Sequence, residues 1–99
     1  MLVDLFKIER GCLLCGYRKH PRGLDLHHWF PEMKRESVSK MVRDGWSMRD
    51  IWTEVKRCAV LCATCHREVE AGVYSLYEIY QLSRQRDYEL GWPEYVQHV

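Results

Sequence analysis

Two short cysteine pairs, Cys12-Leu-Leu-Cys15 and Cys62-Ala-Thr-Cys65, constrain this chain more than any other feature. Each CxxC lets one tight turn present two sulfurs together, and 46 residues lie between the pairs. Four thiolates from two such turns suit a single tetrahedral zinc ion, because soft sulfur ligands match that ion and its geometry. Any fold must then carry residue 12 close to residue 65. The 99 residues are expected to form one domain (1–99), and a chain this size buries only roughly 60–70 % of the surface it exposes when unfolded. A structural metal contributing on the order of 10 kcal/mol to folding suits such a chain. The start MLVDLFKIERG shows no apolar signal segment, so a reducing, cytoplasmic setting is expected, where clustered cysteines bind metal more often than they pair. The fifth cysteine, Cys58, reads as a rival ligand through Cys58-x3-Cys62 or, preferably, as a small buried apolar residue on a strand.

Composition narrows the class. The chain is 46 % hydrophobic and 29 % charged, with no low-complexity run and no internal repeat, which excludes a disordered bulk. No apolar stretch approaches the roughly 18–20 residues of a membrane-spanning helix, so no membrane partner is expected. A net charge of +1 argues against a polycationic coat for nucleic acid. The charge is uneven, however: residues 1–57 hold twelve Lys/Arg against eight Asp/Glu, and residues 58–99 hold three against six. From Arg10 to Leu24 there is no acid, while Arg10, Arg18, Lys19 and Arg22 are basic. That stretch reads either as a small phosphate-facing patch or as a solvated face.

Local signals place the elements. Residues 3–10 predict a short helix stopped by Gly11, and Leu24 to Phe30 a strand ended by Pro31. Residues 37–44 predict a helix ended by Gly45, and Ser47 opens another running to about Arg57. Cys58-Ala-Val-Leu61 is a short apolar strand, followed by a helix from about Ala63 to Gly72. Ser75-Leu-Tyr-Glu78 is a capping box for a helix to roughly Leu90, with Leu76, Ile79, Tyr80 and Ser83 on one face.

Adjacent histidines at the end of a strand, His27 and His28, point to opposite sides. One can ligate a metal while the other reaches a water. His66 follows the second cysteine pair at the start of a helix, and Glu70 lies four residues on, over the same face. His27, His66 and Glu70 therefore make a candidate set of two imidazoles and a carboxylate, with His28 free to act as base. Asp25, two residues before His27, reads as a group orienting that ring or as an exposed turn residue. His20 and His98 read as ordinary polar residues.

Taken together, CLLCG (Cys12 to Gly16), LDLHHWFP (Leu24 to Pro31) and CAVLCATCHREVEAG (Cys58 to Gly72) resemble the HNH endonucleases, in particular small zinc-containing members encoded by bacteriophages. The resemblance covers about residues 7–72. It implies an α+β fold, a small treble-clef-like ββα-metal finger made from residues 7–31 and 58–72. Residues 32–57 then form a helical-hairpin insertion and 73–99 a helical tail. The resemblance implies cleavage or nicking of DNA by one divalent ion, leaving 5′-phosphate and 3′-hydroxyl ends. His28 matches the general base, His27 and His66 match metal ligands, and Cys12, Cys15, Cys62 and Cys65 match structural zinc ligands. Two departures stand out. The chain contains no asparagine, the residue that in the family pins the loop carrying the base; Lys56-Arg57-Cys58 occupies the matching stretch. Glu70 stands where many relatives carry histidine.

The insertion has the cadence of a helix-turn-helix, with Arg49 and Lys56 as groove- or phosphate-facing candidates. A plain helical hairpin packing Trp46, Ile51, Trp52 and Val55 onto the finger is the preferred reading. Arg18, Lys19, Arg22, Arg49 and Arg67 are the candidate contacts to double-stranded DNA. The tyrosine-rich, acidic tail is expected to fold back on the core. Besides the nuclease, two other classes fit: a non-catalytic zinc module binding nucleic acid or protein, and a phage packaging-machine subunit active only in complex. A carboxylate at Glu70 hardens the ion site, so Mg²⁺ or Mn²⁺ is predicted to support plasmid nicking better than Ni²⁺ or Zn²⁺ at matched occupancy. Equal nicking with the softer ions would overturn that preference.

Overall fold

A computed structural model of the chain describes residues 2–97, so His98 lies outside the described residues. Eight regular elements follow one another: α1 (Leu2–Arg10), β1 (Leu24–His28), α2 (Val38–Arg43), α3 (Met48–Val55), β2 (Cys58–Cys62), α4 (Ala63–Glu70), α5 (Leu76–Leu90) and α6 (Glu94–Gln97). The fold is α+β. Its sheet has two antiparallel strands, with Leu24 opposite Cys62 and His28 opposite Cys58. All five residues of β2 are buried, because α3, α4 and α5 pack against it. The unbroken apolar run Cys58-Ala-Val-Leu-Cys62 is the sequence counterpart of that burial.

β1 stops two residues before the expected Phe30. The Trp29 amide still donates to the Arg57 carbonyl at 3.0 Å. Pro31 then opens a 3-10 turn, since it has no N–H with which to continue the pairing. Ser37, Ser47 and Ser75 cap α2, α3 and α5 by accepting from the amides of Lys40, Asp50 and Glu78. Glu78 returns the bond to the Ser75 amide and completes the capping box. Gly11 ends α1 at φ +72°, which lets its amide reach the Lys7 carbonyl at 2.8 Å. α3 ends at Val55, short of the expected Arg57.

Packing corrects two expected core positions. Ile51, Trp52 and Val55 are buried, as the hairpin reading requires, but Trp46 is 37 % exposed. It lies in the turn between α2 and α3, where the Arg35 guanidinium sits 5.7 Å above its ring. Leu76 is likewise 37 % exposed, because it occupies the first turn of α5, ahead of the stripe that meets the sheet. Ile79 and Ser83 form that stripe, and the Ser83 hydroxyl donates to the Cys58 carbonyl at 3.5 Å.

The tail belongs to the core. Trp92 stacks on Phe6 with centroids 5.7 Å apart, and Phe6 meets Trp52 edge-on at 6.0 Å. Val96 of α6, a helix with no clear sequence signal, is fully buried. Lys56, a phosphate-facing candidate, instead holds its ammonium 5.7 Å above the Trp92 ring. The Arg10 guanidinium covers both Phe6 and Trp92, 3.4 Å from the Asp87 carboxylate. Burial, only partly offset by Arg10, pushes the Asp87 carboxyl up to about 6. A folded-state value above the unfolded one means that proton binding favours the fold, and that this contribution is lost as pH rises through about 6. Relative to Asp87→Asn, the parent should therefore lose about 1.4 kcal/mol between pH 5 and pH 7 in urea unfolding. A pH-independent difference between the two proteins would refute this.

Candidate metal centre and histidine cluster

The four expected sulfurs converge. The Sγ atoms of Cys12, Cys15, Cys62 and Cys65 all lie within 4.8 Å of one another, with Cys15 and Cys62 3.6 Å apart. Tetrahedral zinc with sulfurs at about 2.3 Å needs sulfur separations of roughly 3.8 Å, so the cluster fits such an ion. The first pair is shaped by a turn in which the Gly16 amide donates to the Cys12 carbonyl at 2.9 Å, Gly16 having φ +79°. The Leu13 amide joins that turn to β2 through the Val60 carbonyl at 2.8 Å. In the second pair, Cys62 caps α4 and its Sγ accepts from the Cys65 amide at 3.4 Å. Burial raises the Cys12 thiol, but the amides of Cys62, Cys15 and Leu14 overcome it and bring the group down to about 7. Cys58 stands outside the cluster. Its Sγ donates to the Glu54 carbonyl at 3.2 Å, and burial pushes its thiol far up, so it packs as a small neutral residue.

Strand alternation puts Asp25 and His27 on one side of β1, and α4 carries His66 over that side. His27 Nδ1 and His66 Nε2 are 3.2 Å apart, and His66 Nε2 is 3.3 Å from Glu70 Oε1. Two nitrogens at this spacing match neighbouring ligands about 2.1 Å from one ion. His27 Nε2 is buried without a hydrogen-bond partner among the described residues. The three donors do not close as tightly as the sulfurs: among the described residues, the four cysteines are the one group of three or more ligands with all donor atoms within 4.8 Å. Asp25 takes a different partner from the one expected. Its carboxylate lies 3.0 Å from His66 Nδ1 rather than on His27, because α4 crosses the strand there. Burial first, and then His66, hold the His27 imidazole below its ordinary value.

His28 points to the opposite side and is only 7 % exposed. Its Nε2 lies 3.1 Å from Oε1 of Glu54, a fully buried carboxylate. Glu54 also accepts from the Arg35 amide at 3.2 Å and from Arg35 Nε at 3.0 Å, with Arg57 Nη1 at 3.5 Å. Burial raises the Glu54 carboxyl, yet Arg35 and His28 outweigh it and hold the group below its ordinary value. For His28, burial wins over Glu54 and lowers the imidazole. Sequence reasoning missed Glu54. The available signal was its place on the apolar stripe of α3, in step with Ile51, Val55 and Cys58.

The expected DNA contacts divide. Arg18 is already engaged, donating to the carbonyls of Ile8 (3.0 Å) and Glu9 at the end of α1, so it caps a helix. Lys19, Arg22, Arg49 and Arg67 are exposed. His20 caps the 3-10 turn that follows it, its Nδ1 accepting from the Arg22 amide at 3.1 Å. Lys34, not singled out by sequence, lines a cleft of about 160 Å³ with Leu26, His27, His28, Pro31 and His66. It also lines a larger one of about 490 Å³ between α1, β1 and α2 that reaches His66. None of the described helices is long and apolar enough to cross a membrane. Comparison with known proteins finds no matching family model, no matching curated protein and no matching solved structure.

Metal analysis of the purified chain is expected to give one zinc per chain, lost in Cys62→Ser together with cooperative thermal unfolding. Cys58→Ala should retain the zinc. Loss of metal from the Cys58 variant, or full retention in the Cys62 variant, would contradict the four-sulfur assignment.

Proposed function

We propose that this chain is a metal-dependent endonuclease of the HNH type, hydrolysing phosphodiester bonds in double-stranded DNA on a ββα-metal finger formed by β1, β2 and α4. The observation that carries the reading is the 3.2 Å approach of His27 and His66 across strand and helix, with His28 next in the chain. The residues stand in the order that the resemblance implies. His27, His66 and Glu70 would hold one Mg²⁺ or Mn²⁺, which when bound supplies Lewis-acid charge to the scissile phosphate and the leaving 3′ oxygen. Everything else falls to the chain. His28 accepts the proton of the attacking water, and a neutral imidazole at pH 7 suits that task. Asp25 holds the His66 ring in place through Nδ1. The Lys34 ammonium offers positive charge to a phosphate entering the cleft beside the three histidines. Lys19, Arg22, Arg49 and Arg67 supply outer phosphate contacts. With a net charge of +1, unaided affinity is modest and falls with salt.

A second reading, a non-catalytic zinc module for nucleic acid or protein, is favoured by the burial of His28 and its pairing with Glu54. A phage packaging-machine subunit, working in the bacterial cytoplasm and active only in complex, shares the same site. Supercoiled-plasmid nicking with Mg²⁺ or Mn²⁺ separates the readings. His28→Ala should lose roughly 10²–10⁴-fold in rate while zinc content persists, with a lower thermal midpoint because the buried Glu54 carboxylate loses a partner. A parent protein that nicks nothing with any divalent ion would remove the enzyme reading for the isolated chain.

A further inference from the structure

We infer that Glu54 is the positioning residue for His28: its buried carboxylate fixes the imidazole with the proton on Nε2 and leaves Nδ1 as the proton acceptor. The purpose of this arrangement rests on the nuclease reading, but its geometry does not. Glu54 is fully buried and lies against three donor groups, His28 Nε2, the Arg35 amide and Arg35 Nε, with the Arg57 guanidinium beside it. Two guanidinium groups around one carboxylate keep it ionised, and an ionised carboxylate only accepts hydrogen bonds. The His28 atom that faces it must therefore carry hydrogen. A neutral imidazole has one N–H and one lone pair, so the lone pair sits on Nδ1. That nitrogen has no hydrogen-bond partner among the described residues, and His28 lines the small cleft shared with His27, Lys34 and His66.

The same carboxylate ties three pieces of backbone together. His28 ends β1, Arg35 lies in the segment that follows it, and Arg57 precedes β2. Holding the base-bearing strand end to its loop is the task that the resemblance assigns to an asparagine, and this chain contains none. A glutamate one turn before β2 performs it here by charge as well as by hydrogen bonding.

The test uses the full-length, zinc-loaded chain. Ring ¹⁵N NMR should show the parent His28 protonated at Nε2, and Glu54→Gln should give a mixture of tautomers. Nicking by Glu54→Gln with Mn²⁺ should lose roughly 100-fold or more in kcat, with KM and zinc content near those of the parent and a lower thermal midpoint, since the charge that holds Arg35 and Arg57 is gone. Glu54→Asp, which keeps the charge, should recover part of the rate. A parent His28 protonated at Nδ1 overturns the inference, as does a Glu54→Gln variant with unchanged tautomer and rate. If the parent shows the expected tautomer, loses it in Glu54→Gln and yet nicks nothing, the positioning stands and the nuclease reading falls.

Discussion

Everything in this small fold depends on bringing two cysteine turns, 46 residues apart, around one point. Closing so long a loop costs entropy that grows only slowly with length, and a metal-thiolate cluster can offset it many times over. The second turn is also the end of β2 and the cap of α4, so the cluster fixes a strand end and a helix start at once. The first turn is hydrogen-bonded to the Val60 carbonyl on the same strand. A shift of either turn would move the β1–β2 register, and with it each histidine of the candidate site.

That register explains why two adjacent histidines have such different surroundings. His27 shares the open side of β1 with Asp25 and meets His66 beneath α4. His28 enters the protein, where α3 meets it with a carboxylate. The pleat alone separates the two roles, one ring facing a candidate ion and the other locked by a buried hydrogen bond. A one-residue slip would exchange them.

Buried charge is the recurring cost of this architecture. Glu54 is tolerated because donors surround it, and removing one partner would expose the full desolvation penalty. Arg10 and Asp87 are less well matched: two of the arginine's nitrogens and one carboxylate oxygen are buried without hydrogen bonds among the described residues. There the stacking of the guanidinium on Phe6 and Trp92 supplies what the ion pair does not. The tail is thereby held against α1 by a cation that covers a stacked pair of rings, and an acidic segment with no family resemblance becomes part of the core.

Local chemistry was legible in the sequence because local chemistry decides it. The cysteine turns, the serine caps at Ser47 and Ser75, the glycine stop of α1 and the apolar run of β2 depend only on residues within a few positions. The alternation that parts His27 from His28 is equally intrinsic to a strand. Tertiary structure decided which groups meet. Trp46 and Leu76 stayed exposed because a residue at a helix end or turn has no face until its neighbour is placed. Asp25 found His66 rather than His27 because that partner arrives from a distant segment, and Arg18 turned to the end of α1 because the cysteine turn folds it back there. Above all, nothing near Glu54 in sequence says that its carboxylate meets His28, 26 residues earlier. The chain by itself determined two metal-ligand turns and a pair of histidines with opposed faces; only the folded packing of α3 against β2, the strand paired with β1, gave one of those histidines its buried partner.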